Sequence, residues 1–113
     1  MRNLLTIFFL TVFISCGNDD AFDIRDYPNC LQPIIKTIME RPIQNPKADI
    51  KKYLYKGQEV YQVNGQNFPD GQSQVITLNC EDICVLGGID GEFNDCVDWN
   101  TAELIETIWI DPR

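Results

Sequence analysis

Apolar residues near position 30 recur at the spacing of one helix face. They follow the i, i+3, i+4, i+7 rule, while the charged side chains lie mostly off that face: Leu31, Ile34, Ile35 and Ile38. Asn29 is a favourable N-cap, and Gln32 stands three residues later, where it completes a capping box. Pro42 ends the pattern. This stretch therefore predicts one amphipathic helix whose apolar face packs on the domain's own core.

After the helix, runs of β-forming residues alternate with turn signals. The runs predict strands at 50–55, 59–63, 74–78 and 107–111, and residues 100–106 predict a short helical turn. The first two strands flank Lys56-Gly57-Gln58, which indicates a hairpin. We therefore expect an α+β domain, with one N-terminal amphipathic helix packed on a small antiparallel sheet.

The N-terminus has the pattern of an export signal. Residues 1–15 carry one arginine followed by mostly apolar residues, and the apolar stretch is shorter than the roughly 20 residues of a membrane span. The run Phe13-Ile14-Ser15-Cys16-Gly17 resembles the lipobox of bacterial lipoproteins. That resemblance implies a signal peptide at 1–15, a lipidated Cys16 and a membrane anchor. Residues 16–28 are then an acidic tether, and 29–113 form a single small domain.

The acidic tether at residues 16–28 also gives an indication of where the protein is located. An acidic pair, Asp19-Asp20, follows the predicted lipidation site and resembles the surface-export signal of Bacteroidota lipoproteins. The alternative is a polar tether without an address. Both agree with an outer-membrane lipoprotein that faces the periplasm or the cell surface.

Charge and composition exclude some classes of function. Without residues 1–15 the chain holds 8 basic and 17 acidic side chains, and 8 − 17 gives a net charge of −9. Such a charge repels nucleic acid, so we expect no DNA or RNA partner. The chain has no histidine, and Ser73 is the only serine after residue 15. Because the commonest general base is missing, we expect the protein not to be an enzyme.

The charges are also segregated along the chain. Residues 36–56 hold six basic and two acidic side chains, whereas residues 79–111 hold nine acidic side chains and no basic one. Either these two parts face each other in the fold, or the acidic part forms an open surface for a cation or a basic partner.

Four cysteines remain after Cys16, and an exported chain is expected to oxidise them to two disulfides: Cys30, Cys80, Cys84 and Cys96. Three connectivities are possible, of which we favour Cys84–Cys96 with Cys30–Cys80. A zinc site with four thiolates is the competing interpretation, although the spacing of three residues between Cys80 and Cys84 is not a usual zinc pairing. We expect residues 79–99 to form a disulfide-held turn region.

Oxygen-bearing side chains alternate within that region. Asp90, Glu92 and Asn94 are spaced as calcium ligands are, which makes them candidate metal ligands. The EF-hand pattern requires glycine at its sixth position and glutamate at its twelfth, where this chain has Asp95 and Thr101. We therefore favour an acidic turn with no cofactor, and keep calcium as the alternative.

The same region carries a family resemblance. The motif is Cys84-V-L-Gly87-Gly88-I-D-Gly91-E-F-N-D-Cys96-V-Asp98-Trp99, preceded by a Y-x-G-x-x-V-Y hairpin. It resembles a family of small uncharacterised Bacteroidota lipoproteins with a Cys, Gly-Gly, Gly and Cys-x-Asp-aromatic ending. The resemblance implies the same fold and address and brings no activity or ligand.

These observations favour a membrane-anchored, extracytoplasmic, non-enzymatic binding module with an unknown protein or small-molecule partner. One alternative is a protease inhibitor, because a loop held by a disulfide is pre-organised for a protease cleft. Such an inhibitor should expose a protruding apolar residue such as Leu86 or Phe93. A calcium-binding module is the other alternative.

Overall fold

A computed structural model describes residues 22–66, 71–87 and 94–113. Within them, the chain forms helix α1, five strands and two short 3-10 turns, one before α1 at Ile24–Asp26 and one between the fourth and fifth strands at Trp99–Thr101. The elements are α1 Gln32–Met39, β1 Asp49–Tyr55, β2 Gln58–Asn64, β3 Gln72–Thr77, β4 Asp82–Gly87 and β5 Glu103–Ile110. The strands form one antiparallel sheet in the order β4-β3-β2-β1-β5. The expected small antiparallel sheet with one short helix is confirmed for the described residues.

The β1–β2 hairpin forms where the sequence predicts it. Tyr55 pairs with Gln58, so the loop contains only Lys56 and Gly57. Both loop residues have positive φ, 51° and 79°. A two-residue loop with positive φ at both positions is the type I′ turn, whose twist matches that of antiparallel strands.

Helix α1 covers one face of the sheet with the apolar residues that its periodicity predicts. Leu31, Ile35 and Ile38 are buried together with residues of four strands, among them Ile50, Val63, Ile76 and Trp109. Ile34, at the margin of the stripe, is only partly buried. We call this side of the sheet the helix face.

The predicted N-cap of α1 is wrong. The cap position is Leu31, and its side chain makes no capping hydrogen bond. Asn29 lies one turn earlier, because the Leu31 and Gln32 amides donate to the carbonyls of Pro28 and Asn29. The Gln32 side chain therefore donates to the Tyr27 carbonyl at 2.8 Å and to Asn29 Oδ1 at 3.3 Å.

The opposite side of the sheet, which we call the loop face, has its own buried cluster. Its members are Tyr55, Val60, Val75, Leu86 and Cys96. The segment 94–102 lies on this face, and the Trp99 ring centroid is 4.9 Å from that of Tyr53 and 5.0 Å from that of Tyr55. The sheet thus has two separate apolar clusters, one on each face.

Two expectations for the second half of the chain are wrong. Residues 79–99 are not only a turn region, because β4 lies inside them and pairs with β3. The predicted helical turn at 100–106 is mostly strand, since β5 begins at Glu103 and a 3-10 turn occupies Trp99–Thr101. In both segments the hydrogen bonds come from pairing with a neighbouring strand, which a local pattern does not specify.

The favoured disulfide pairing is confirmed. Cys30–Cys80 joins the start of α1 to the β3–β4 turn, and Cys84–Cys96 joins β4 to the segment on the loop face. The four sulfurs are therefore used in pairs, and a zinc site with four thiolates is excluded. Across the described ranges, no helix is both long and apolar enough to span a membrane.

Candidate functional site

Residues 94–96, which the Cys84–Cys96 disulfide ties to β4, cover the outer edge of that strand; we call them the stapled segment. The Val85 amide donates to Asp95 Oδ1 at 2.6 Å, and the Asp95 amide donates to the Val85 carbonyl at 2.9 Å. Asn94 Oδ1 accepts from the Cys96 amide at 3.2 Å. The Cys84–Cys96 disulfide holds this segment in place, so the outer edge of β4 has protein partners at its centre.

The structure describes only some of the predicted site residues. Cys16, Asp90 and Glu92 lie outside the described residues. Asn94, the third candidate calcium ligand, has its carboxamide oxygen engaged in the turn. In the described parts of the chain, one group of three potential metal ligands comes together, namely Cys84, Asp95 and Cys96. Its two sulfurs form a disulfide, so they cannot bind a metal as thiolates.

A groove of about 380 Å³ lies between α1 and the β2–β3 end of the helix face. Its apolar lining includes Pro33, Ile34, Ile38 and Val63, and its polar lining includes Thr37, Arg41, Gln66, Gln72 and Gln74. A volume of this size is within the range of small-molecule sites. Sequence analysis missed the groove because its two walls are about 30 residues apart in the chain.

The opposite edge of the sheet, β5, differs from the sealed β4 edge. Leu104, Ile105 and Ile110 are 55%, 45% and 55% exposed, whereas Trp109 is 1% exposed. The run E-L-I-E-T-I-W-I contains these residues without the strict alternation of a half-buried strand. The sequence pattern does not indicate this exposure, because it follows from the position of β5 at the edge of the sheet and from its register with β1.

The basic segment 36–56 and the acidic segment 79–111 are adjacent in the sheet, where β1 pairs with β5. Lys52 Nζ lies 3.6 Å from a carboxylate oxygen of Glu59 and 4.0 Å from one of Glu106. Glu103, at the start of β5, is exposed, as is Asp98 before it. Part of the acidic half therefore faces a basic side chain, and part of it is open to solvent.

This geometry defines a class of protein, a small α+β domain with one five-stranded antiparallel sheet and a disulfide on each of its two faces. Residues 36–111 match a domain of unknown function, DUF6970, and the chain belongs to that family. No curated protein and no solved structure matches the chain.

Proposed function

We propose that the protein is an exported, lipid-anchored binding module that catalyses no reaction. The observation that carries the proposal is the pairing of Cys30 with Cys80 and of Cys84 with Cys96. Disulfides of this kind persist in oxidising compartments and are rare in the cytosol. The fold therefore supports residence outside the cytoplasm, in agreement with the signal pattern of residues 1–15.

The count of cysteines supports the proposed lipid anchor at Cys16. With four of the five cysteines in disulfides, Cys16 is left over, and acylation accounts for it within the lipobox-like run. Stable attachment takes more than one acyl chain, which lipoprotein processing supplies. The resemblance to Bacteroidota lipoproteins supports the outer membrane as the destination, with the domain facing the periplasm or the cell surface.

A binding role is supported by the two exposed features of the domain. The groove beside α1 has the dimensions of a small-molecule site, and the β5 edge presents apolar side chains to solvent. The absence of histidine and the net negative charge of the sequence argue against acid–base catalysis and against a nucleic-acid partner.

The protease-inhibitor alternative has less support. Leu86, one of the two residues expected to protrude, is 7% exposed and belongs to the loop-face cluster. Phe93, the other, lies outside the described residues.

The anchoring proposal is tested by membrane fractionation of cells that express the full chain or its Cys16→Ser variant. We expect the full chain in the membrane fraction with an acylated mass, and the variant in the soluble fraction without it. The matched control is Cys30→Ser with Cys80→Ser, which removes a disulfide and should leave the acylated mass in the membrane fraction. A Cys16→Ser chain that stays with the membrane would refute the anchor.

A further inference from the structure

The two edges of the sheet differ in whether other parts of the described chain cover them. At β4, Asp95 occupies the central backbone groups of Val85 through the two hydrogen bonds described above. At the other edge, β5 pairs with β1 on its inner side, and no described residue pairs with its outer side. An edge strand presents a row of free N–H and C=O groups that can pair with another chain.

The apolar side chains of β5 mark this open edge as a binding surface. Leu104, Ile105 and Ile110 are each about half exposed within a strand of eight residues. Proteins often place charges on such an edge to prevent unwanted pairing, and β5 carries Glu103 and Glu106 beside these apolar residues, so the edge should select its partner by charge. Extended segments that add to a sheet edge gain main-chain hydrogen bonds and, through alternate side chains, specificity.

The shape of β5 favours a flexible occupant. Its register with β1 shifts twice, so Ile105 and Ile108 are extra residues with no partner in the β1 ladder. Such bulges bend and twist an edge strand. A second copy of the chain would bring the same two bulges in a rigid strand, whereas a free segment can adapt its backbone to them.

The charge of the edge favours a basic occupant. Strand β5 carries two acidic residues and no basic one; Glu103 and Glu106 are both exposed, as is Asp98 just before the strand. A second copy would place the same sign of charge against this surface, and like charges across an interface are unfavourable. Lysine or arginine side chains on an incoming strand would instead face carboxylates.

We propose that the outer edge of β5 binds an extended segment of another protein, rich in alternating apolar and basic residues, by strand addition. The proposal names a partner class for the binding role above and does not depend on the lipid anchor.

The test uses the full chain and a synthetic peptide of four Lys-Val repeats, with a peptide of four Glu-Val repeats for comparison. Binding is measured by the anisotropy of the labelled peptide, and the site is mapped by amide chemical-shift changes. We expect the basic peptide to bind and to shift the amides of β5, and the acidic peptide not to bind. Absence of binding by the basic peptide would overturn the proposal.

Two side-chain variants locate the surface. Ile105→Lys should weaken binding about fivefold or more, as loss of a contributing interface side chain does. The matched control is Ile83→Lys on the sealed β4 edge, where Ile83 is 38% exposed; it should bind like the unchanged chain. Equal weakening in the two variants, both checked for an unchanged fold by circular dichroism, would contradict the assignment to β5.

A third peptide distinguishes strand addition from attraction between charges alone. Methylation of alternate backbone nitrogens of the Lys-Val peptide keeps its charge and removes the donors of one edge, so we expect binding to be lost. Retained binding would overturn the proposal. So would self-association of the full chain that Ile105→Lys abolishes, because a second copy would then be the occupant. None of these measurements reports on membrane attachment, so their failure is separate from failure of the Cys16→Ser test.

Discussion

The Asp111 carboxylate holds the Arg113 guanidinium against the C-terminal end of helix α1. Asp111 is 1% exposed, and Arg113 donates to its two carboxylate oxygens at 3.0 Å and 2.7 Å. The same guanidinium donates to the backbone carbonyls of Ile38 and Met39 in the last turn and to that of Arg41 just beyond the helix. Helix C-termini carry free carbonyls and partial negative charge, so Arg113 caps the C-terminal end of α1.

This contact predicts a specific loss of stability in acid. The hydrogen bonds from Arg113 lower the pKa of Asp111, although burial acts in the opposite direction. An aspartate with a depressed folded-state pKa contributes stability above its unfolded pKa of about 3.9, and the contribution disappears as the pH falls through the folded pKa. We expect Asp111→Asn to remove this part of the acid dependence when urea midpoints are compared between pH 7 and pH 2.

A matched control exists in the Asp23–Arg25 pair. It has the same spacing of two residues, and Arg25 lowers the pKa of Asp23 through hydrogen bonds. The pair is exposed, so solvent screens it, and Asp23→Asn should change the acid dependence much less. Equal effects of the two substitutions would show that Asp111 has no special role at the helix end.

The two disulfides should differ in their contribution to stability. Cys30–Cys80 closes a loop with a sequence separation of 50, and Cys84–Cys96 closes one with a separation of 12. The loop-entropy relation gives about 4 kcal/mol for the first and about 3 kcal/mol for the second. Paired Cys→Ala substitutions should therefore lower the free energy of unfolding more at Cys30 and Cys80, as measured by urea denaturation. The reverse order would contradict this account.

Gly87 should tolerate a side chain less well than Gly57. Both glycines have positive φ, 92° and 79°. A Cβ at position 87 would lie 2.9 Å from the Gly71 carbonyl oxygen, whereas a Cβ at position 57 would meet nothing within 4 Å. Gly57→Ala should cost about 1–2 kcal/mol from backbone strain alone. Gly87→Ala should lower the stability more, because its Cβ would also clash with the Gly71 carbonyl. Thermal melting of the two variants measures this difference. Equal losses of stability would show that the contact with Gly71 is unimportant.

Asp95 should protect the β4 edge. Asp95→Ala removes the acceptor of the Val85 amide and should cost about 1 kcal/mol, the usual value for one hydrogen bond. It should also cause association that increases with protein concentration, because the Val85 amide then lacks its acceptor and can donate to another chain. Asp95→Asn keeps an oxygen at this position and is the control, so sedimentation should show a monomer for it. Association of neither variant would mean that the stapled segment protects the edge without Asp95.

Calcium should have little effect on the domain. If Asp90, Glu92 and Asn94 form only an acidic turn, millimolar calcium should leave the melting temperature nearly unchanged. A ligand present at a hundred times its dissociation constant adds about 2.7 kcal/mol, which is a shift of roughly 10–20 °C in a domain of this size. A rise of that size, absent in Asp90→Asn with Glu92→Gln, would establish a calcium site.

Sequence by itself determined the elements whose stability is mainly local. The i, i+4, i+7 spacing of Leu31, Ile35 and Ile38 fixed the buried side of α1, because helix geometry places such residues on one face. The run Lys56-Gly57-Gln58 between two runs of β-forming residues indicated the hairpin, and Gly57 reaches the positive φ that its tight turn requires. The even number of cysteines after Cys16 indicated two disulfides, because an exported chain oxidises its thiols.

Tertiary structure decided the elements that depend on distant partners. Strand β4 exists because β3 pairs with it, and β5 reaches back to Glu103 because β1 pairs with it. Leu86 is buried because the segment beyond Cys96 lies over the loop face. Arg113 donates to the Met39 carbonyl at the end of α1 across 74 residues of sequence. In each case the stabilising hydrogen bond or apolar contact joins residues far apart in the chain, so no local pattern of hydrophobic and polar positions could specify it.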